Sequence, residues 1–310
     1  MNSSGICFFK ESELSPVLGV VLLVEFCLGL CGNCVVIWIF FSRIHSWNTS
    51  TLYLFNVSLA DFLLIVCLPF RAEYFLDGKN WHFGDIPCRI MHFMISLNRT
   101  GSILFLTVVV VNRYFMIVHP HSRINNIKTM PGGLLITVLL WTIIITLTAY
   151  ILSTSHLIQG EIANTTLCES FNLNWYESAI IIWHYVFFVV QLVIPLFIIL
   201  LCTVCIIRQL RRCKDQRGKM KRTIKAMTFV AFIFIICFVP STVSTITVVI
   251  AKHLTTCTLF DISSLVFAAS LALTYLNSVL NPVAIYISSP VFQDILRNSC
   301  NFTGRKDKTI

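Results

Sequence analysis

Two arginines in this sequence stand in or beside long apolar runs, where a charge is costly and its presence calls for a reason. Arg99 lies eleven residues after Cys88 within the run 86–118. At 1.5 Å per residue that is roughly 16 Å down a helix, too deep for its head group to reach an interface easily. Arg71 follows Pro69 near the end of the run 50–76. A guanidinium offers a planar fork of donors that grips a carboxylate through two parallel hydrogen bonds. With no obvious acid at matching depth, Arg99 and Arg71 are candidate anchors for an anionic ligand. The plainer readings pair Arg99 with backbone carbonyls or Glu73, and make Arg71 an interfacial anchor.

Asp61 is the other isolated charge, inside the apolar run from Leu59 to Pro69. Asn33, Ser102, Asn277, Ser278 and Asn281 lie in other runs and are expected to converge on it as oxygen donors. A carboxylate among neutral oxygens suits a small cation; a hydrogen-bonded polar core that fixes helix packing is the alternative. Most of the 13 cysteines, Cys27 and Cys237 among them, sit within apolar runs and read as small core residues. Cys7, Cys88, Cys168 and Cys257 fall outside those centres, and four cysteines allow three pairings.

The elements that must position these groups follow from composition. The chain has 310 residues, 56% hydrophobic and 12% charged, against about a quarter charged in soluble domains. Seven apolar runs, near 17–41, 50–76, 86–118, 132–154, 176–208, 222–250 and 260–287, each reach the roughly 20 residues a membrane-spanning helix needs. The fold expected is all-α, a seven-transmembrane helix bundle. It divides into an extracellular segment 1–16, a transmembrane domain 17–288, and a cytoplasmic amphipathic helix with a short tail, 289–310. Residues 1–15 hold no long apolar core, so no cleavable signal is expected.

Most Lys and Arg residues fall on the segments that face inward if residue 1 is outside. That positive-inside pattern orients the chain with its amino terminus extracellular, and it accounts for the net charge of +9 without nucleic acid. The stretch Arg208–Lys225 holds nine basic residues and one acid, a face for anionic lipid or for a cytosolic partner. Phe292, Ile295 and Leu296 recur at amphipathic helical spacing, with Cys300 beyond them as a palmitoylation candidate. Asn2 and Asn164 are the outer glycosylation sequons. Pro69, Pro195, Pro240 and Pro282 fall within spans and predict kinks. The spans show no repeat of one half in the other, and no metal-ligand spacing, nucleophile elbow or acid pair at membrane depth points to an enzyme.

From Gly32-Asn33 to Phe292 the chain resembles the rhodopsin-like G-protein-coupled receptors. The carrying residues are Leu59-Ala60-Asp61, Asn112-Arg113-Tyr114, Trp141, Pro195, Cys237-Phe238-Val239-Pro240 and Asn281-Pro282. The resemblance implies a Cys88–Cys168 disulfide, an allosteric sodium ion at Asp61, Ser102, Asn277 and Asn281, and a transmission core of Ile103, Pro195 and Phe234. It also implies coupling to a heterotrimeric G protein through Arg113, with Asn112, Tyr114, Phe238, Pro240, Asn281 and Pro282 serving activation. Within that family, Trp81-His82-Phe83-Gly84-Asp85-Ile86-Pro87-Cys88-Arg89, Asn98-Arg99-Thr100-Gly101-Ser102, Val118-His119-Pro120-His121 and Thr274-Tyr275-Leu276-Asn277-Ser278 are similar to the hydroxycarboxylic acid and oxoeicosanoid receptor group. That likeness implies a carboxylate ligand held by Arg99, with Ser170, Phe171 and Tyr275 in the pocket. It further implies a second outer bridge, Cys7 to Cys257, and signalling through inhibitory Gi/o proteins that lowers cyclic AMP.

The departures are specific. Thr245 stands where hydroxycarboxylic acid receptors carry an arginine, Asn112 where the acid beside Arg113 is usual, Phe238 where many relatives have Trp, and Ile285 where Tyr is usual after Asn-Pro. Asn112 and Ile285 together predict ligand-free signalling. Ile95 and Tyr275 stand where aminergic receptors and opsins need an acid and a lysine, so neither an amine nor retinal fits. A carboxylate transporter that uses Arg99 in its pathway is the competing function. No cofactor other than the sodium ion is expected.

Overall fold

The computed structural model describes residues 14–44, 47–120, 129–159, 165–169, 179–212, 217–253, 257–289 and 292–297. Its elements are α1 (Ser15–Ser42), α2 (Thr49–Ile65), α3 (Leu68–Leu76), α4 (Asp85–Ile117), α5 (Met130–Thr148), α6 (Tyr150–Ser153), β1 (Leu157–Gln159), β2 (Thr166–Cys168), α7 (Ala179–Arg212), α8 (Arg217–His253) and α9 (Cys257–Ser288). Seven spans among the described residues are long and apolar enough to cross a membrane. α2 with α3 makes the second and α5 with α6 the fourth. The helices carry large apolar side chains on their outer faces, Phe41, Leu135 and Phe197 among them, a belt of the kind lipid covers.

Local chemistry sets where several helices begin. Asn48 caps α2 by accepting from Thr51 N at 2.9 Å, and Thr129 caps α5 by accepting from Gly132 N at 3.3 Å, each satisfying a donor that a helix start leaves free. Proline occupies the first turns of α1, α3 and α5, where its missing N–H costs nothing. The second span breaks at Val66–Cys67 because Pro69 has no N–H to donate to Ile65 O and its ring crowds that carbonyl, so α2 ends at Ile65. Pro195, Pro240 and Pro282 instead lie inside continuous helices.

The bundle core runs from Ile103, Phe105 and Val110 on α4 to Phe234, Cys237 and Phe238 on α8. Polar ties supplement it: Trp141 Nε1 donates to Asn56 Oδ1 at 2.7 Å, joining α5 to α2 as polar groups join helices where lipid removes the hydrophobic drive. A side chain at Gly19 would lie 2.6 Å from Leu76, so glycine permits the close approach of α1 to α3. At the other end, Phe292 packs its ring 5.1 Å from Phe40, and Ile295 and Leu296 lie on the same cluster. The helical stretch 292–297 is the amphipathic piece expected after the seventh span.

The end of the bundle that holds Cys88 carries an antiparallel hairpin of β1 and β2 in the register Leu157 to Cys168. The Cys88–Cys168 disulfide, with Cα atoms 5.9 Å apart, fastens it to the top of α4. Trp81 adds to the anchorage by donating its N–H to Thr166 O at 2.7 Å. Cys7, the Cys257 side chain, Cys300, Asn2 and Asn164 lie outside the described residues, so the second bridge, the palmitoylation site and the glycosylation sites are not placed.

Candidate functional site

α4 brings Arg99 into the upper middle of the bundle, where it is 3% exposed. Its Nη1 donates to Ser241 Oγ and its Nη2 to Thr242 Oγ1, both at 2.7 Å. Both acceptors lie on α8 immediately after Pro240. The guanidinium carbon sits 3.9 Å from the centre of the Phe188 ring and 5.6 Å from that of Phe238. Nε has no hydrogen-bond partner, and no acid pairs with Arg99 among the described residues. A buried cation facing two hydroxyl oxygens has its charge spread but not cancelled, and a fork with parallel donors at 2.7 Å is already shaped for two carboxylate oxygens.

Arg71 differs. Nη1 donates to Cys168 O at 3.0 Å and Nη2 stands 4.0 Å from Glu169 Oε2. Tyr74 and Phe75 offer their ring faces at 5.1 and 4.9 Å. Glu169 also accepts from Tyr74 Oη at 2.8 Å and lies 3.8 Å from Lys79 Nζ. The expectation that Arg71 lacks an acid at its depth is therefore corrected: the hairpin strand that ends at Cys168 delivers one. Tyr275, 1% exposed, is an electrostatic neighbour of Arg71, with its hydroxyl outside hydrogen-bonding geometry. Ser170 and Phe171 lie outside the described residues. Glu73 is exposed and does not partner Arg99. Thr245 bonds to Ser241 O in its own helix at 2.7 Å, adding no charge where an arginine would.

Nearer the bundle centre, Asp61 is fully buried. Its Oδ1 accepts from Asn98 Nδ2 at 3.0 Å, Ser278 Oγ at 2.8 Å and Ser102 Oγ at 3.4 Å, and its Oδ2 from Asn281 Nδ2 at 2.8 Å. Asn33 does not join them. It donates to Ser278 O at 2.9 Å and Gly29 O at 3.0 Å, tying α1 to α9. The amide oxygens of Asn33, Asn277 and Asn281 are buried without a hydrogen-bond partner. Orphaned acceptors are rare in folded cores; the Asp61 carboxylate, the Ser102 and Ser278 hydroxyls and the Asn281 amide oxygen are a donor set that fits a small hard cation, whereas Asn33 and Asn277 make no hydrogen bond to Asp61.

Below this, Ile103, Phe234 and Phe238 share one cluster, with the rings of Phe234 and Phe238 5.2 Å apart. Pro195 is buried in α7 between Leu192 and Ile199 of the same cluster. At the C-terminal end of α4 Asn112 donates to Ser50 Oγ at 3.0 Å and Tyr114 Oη lies 3.1 Å from His119 Nε2. Arg113 has no ion pair among the described residues; its electrostatic neighbour on α8 is Arg222, a like charge. Ile285 is buried and Tyr286 exposed.

The sequence profile described as "7 transmembrane receptor (rhodopsin family)" matches residues 32–286. The chain belongs to that family. The receptor is 41% identical over 321 residues to hydroxycarboxylic acid receptor 3 of Homo sapiens, covering 99% of this chain and 80% of the relative. It is 34% identical to oxoeicosanoid receptor 1 of Homo sapiens, covering 94% and 74%. It is 33% identical to the 12-(S)-hydroxy-5,8,10,14-eicosatetraenoic acid receptor of Mus musculus, covering 92% and 89%. Family membership makes it a multi-pass membrane receptor and not an enzyme.

Sequence reasoning missed the groups that complete these sites. Ser241 and Thr242 carry no signal beyond following Pro240. Asn98 reads as a chance sequon until the fold turns it toward Asp61. Glu169 had a usable signal: it follows Cys168, whose bridge to Cys88 sets it at the N-terminal end of α4, beside Arg71.

Proposed function

We propose that the receptor recognises a carboxylate-bearing metabolite, a hydroxycarboxylic acid or an oxidised fatty acid, and signals through inhibitory Gi/o proteins to lower cyclic AMP. One observation carries the reading: Arg99 is a buried cation whose two Nη groups face neutral hydroxyls and no acid among the described residues. The names of the relatives, receptors for hydroxycarboxylic and eicosanoid acids, support the same ligand class.

A ligand carboxylate takes over the two donors now held by Ser241 and Thr242. Those hydroxyls also bond to Phe238 O at 3.0 and 3.1 Å, around Pro240, so freeing them removes two ties between α4 and α8 at the place where α8 lacks a backbone hydrogen bond. The shift passes to Phe234 and Ile103 and to Arg113, which meets the G protein at the inner end. Tyr275 stands beside Arg71 at this pocket, and Ser170 and Phe171, outside the described residues, are the further pocket positions the family likeness implies. A sodium ion at Asp61, Ser102, Asn277 and Asn281 steadies the resting arrangement. The amino terminus faces outward, as the basic inner segments require.

Expression in cells with a cyclic AMP reporter tests the reading. Acids from short hydroxy acids to oxidised fatty acids should lower cyclic AMP in wild type and not in Arg99→Ala at equal surface expression. An undiminished response in Arg99→Ala would overturn it.

A further inference from the structure

Two histidines stand side by side where the hairpin meets the bundle. His92 of α4 and His156, the residue before β1, are 4% and 8% exposed, with rings 4.9 Å apart. His92 Nε2 lies 3.5 Å from Cys168 Sγ, and His156 Nε2 lies 3.2 Å from Thr154 Oγ1. Neither belongs to the anion, cation or transmission groups described above. An imidazole changes charge within the physiological pH range, so a buried pair in contact gives this junction a titratable centre.

The two strands are fastened unequally. β2 is held by the Cys88–Cys168 disulfide and by residues 80 and 81: Trp81 N donates to Thr166 O at 2.7 Å, Thr166 Oγ1 to Trp81 O at 2.6 Å and Thr166 N to Asn80 Oδ1 at 3.2 Å. β1 has no covalent tie. It is led in by Ser155, which donates to Asp85 Oδ1 at 2.8 Å, and by His156. The His156 carbonyl also accepts from Glu169 N at 3.1 Å, and Glu169 is the acid that faces Arg71 and Lys79. Where His156 sits therefore decides where Glu169 stands.

The surroundings suit neutral imidazoles. Arg71 of α3 and Arg89 and Asp85 of α4 are the charged groups that face the pair, with the Glu169 backbone beside His156. Asp85 is already paired with Arg89 and holds the Ser155 hydroxyl. The Glu169 carboxylate is taken by Arg71, Lys79 and the Tyr74 hydroxyl. A proton on either imidazole thus adds a positive charge beside two guanidiniums, with both nearby acids engaged and little water to screen it. Burial, with Arg89 beside it, holds His156 below the ordinary histidine range. The seated form then takes up its proton at lower pH than a freed imidazole does. Seating is complete above about pH 7 and weakens as pH falls below about 6.5.

We infer that His92 and His156 form a proton-operated latch: while both imidazoles are neutral β1 stays seated and Glu169 stays against Arg71, and a proton on the pair unseats β1 and draws Glu169 away. The latch stands on the hairpin's own contacts and does not depend on which ligand the receptor takes.

Hydrogen exchange on the purified full chain in lipid nanodiscs, corrected for the intrinsic pH dependence of amide exchange, tests it. Protection of residues 156–159 in wild type should fall roughly tenfold between about pH 7.5 and about pH 5.5 and recover on return, while 166–168, still held by the disulfide, respond less. His156→Gln and His92→Gln keep a hydrogen-bonding amide that cannot titrate. Each should cut the fall to about threefold or less, and the two together should abolish it. His82→Gln, at the exposed histidine beside Asp77, should leave the fall at its wild-type size. Constant protection across this range in wild type would overturn the latch whether or not the variants fold. A fall that persists in the double variant, or that disappears in His82→Gln, would overturn it too.

Discussion

Removing the two hydroxyls that hold Arg99 should tighten acid binding while weakening the empty receptor. The variant is Ser241→Ala with Thr242→Val. Each hydroxyl accepts from a charged donor at 2.7 Å, and hydrogen bonds to charged groups contribute about 1.5–3 kcal/mol each. In wild type an arriving carboxylate must first displace both. The variant has lost them, so the competition ends and affinity rises by on the order of a hundredfold or more, the two bonds together being about 3–6 kcal/mol at 1.4 kcal/mol per factor of ten. The same deletion leaves the empty guanidinium with the Phe188 ring 3.9 Å away, a contact on the order of 2 kcal/mol when desolvated, and two unmet donors. The ligand-free protein should then unfold several degrees lower, and saturating acid should restore more stability than it does in wild type. Saturation binding of a labelled acid and thermal unfolding with and without it measure both sides. Affinity that falls as it does in Arg99→Ala would show the hydroxyls to be ligand contacts, not placeholders, and unchanged affinity would show that no displacement occurs.

Other predictions concern the remaining charges. Arg222→Glu puts an acid opposite Arg113, whose present neighbour is a like charge; ligand-free signalling should fall, and an unchanged or raised basal signal would contradict the weakly held inactive state expected from Asn112 and Ile285. Asp61→Asn sets an amide opposite Asn281 Nδ2, now 2.8 Å from Oδ2. Sodium chloride should raise the unfolding temperature of wild type above the choline control and leave this variant flat, whereas equal responses would remove the cation from Asp61. Glu169→Gln strips the acid from Arg71 and Lys79, leaving a buried cation unpaired at a cost of about 1–3 kcal/mol; hydrogen exchange in the hairpin 157–168 should quicken, and unaltered protection would mean the disulfide alone holds it.

Much of the architecture was legible because lipid enforces it. A helix that crosses a bilayer must be apolar over a set length, so seven runs in the sequence became seven spans, and the described ends of α1, α4 and α9 fall within three residues of those runs. The break at Val66–Cys67 follows from Pro69, but its place within the second span does not. The hairpin went unread, since strands of three residues have no periodicity to detect. Depth was also legible: Arg99 and Asp61 are buried as their positions along apolar runs require. Partners were less so, because rotation and register between helices decide them. Ser102, Ser278 and Asn281 do converge on Asp61, while Asn33 turns to the α9 backbone and Asn98 takes the place expected of it. Arg99 met Ser241 and Thr242, residues whose types are common and whose importance comes only from the turn of α8 that faces α4.

The central claim is that the Arg99 guanidinium takes the ligand's carboxylate, and the most direct measurement is binding of one radiolabelled long-chain acid, with its methyl ester as competitor, to purified wild type and Arg99→Gln. The account predicts that the ester and the variant each lose roughly a hundredfold, the loss of a bidentate charged pair. An ester that competes as well as the acid, or a variant that binds it as tightly as wild type, would contradict it.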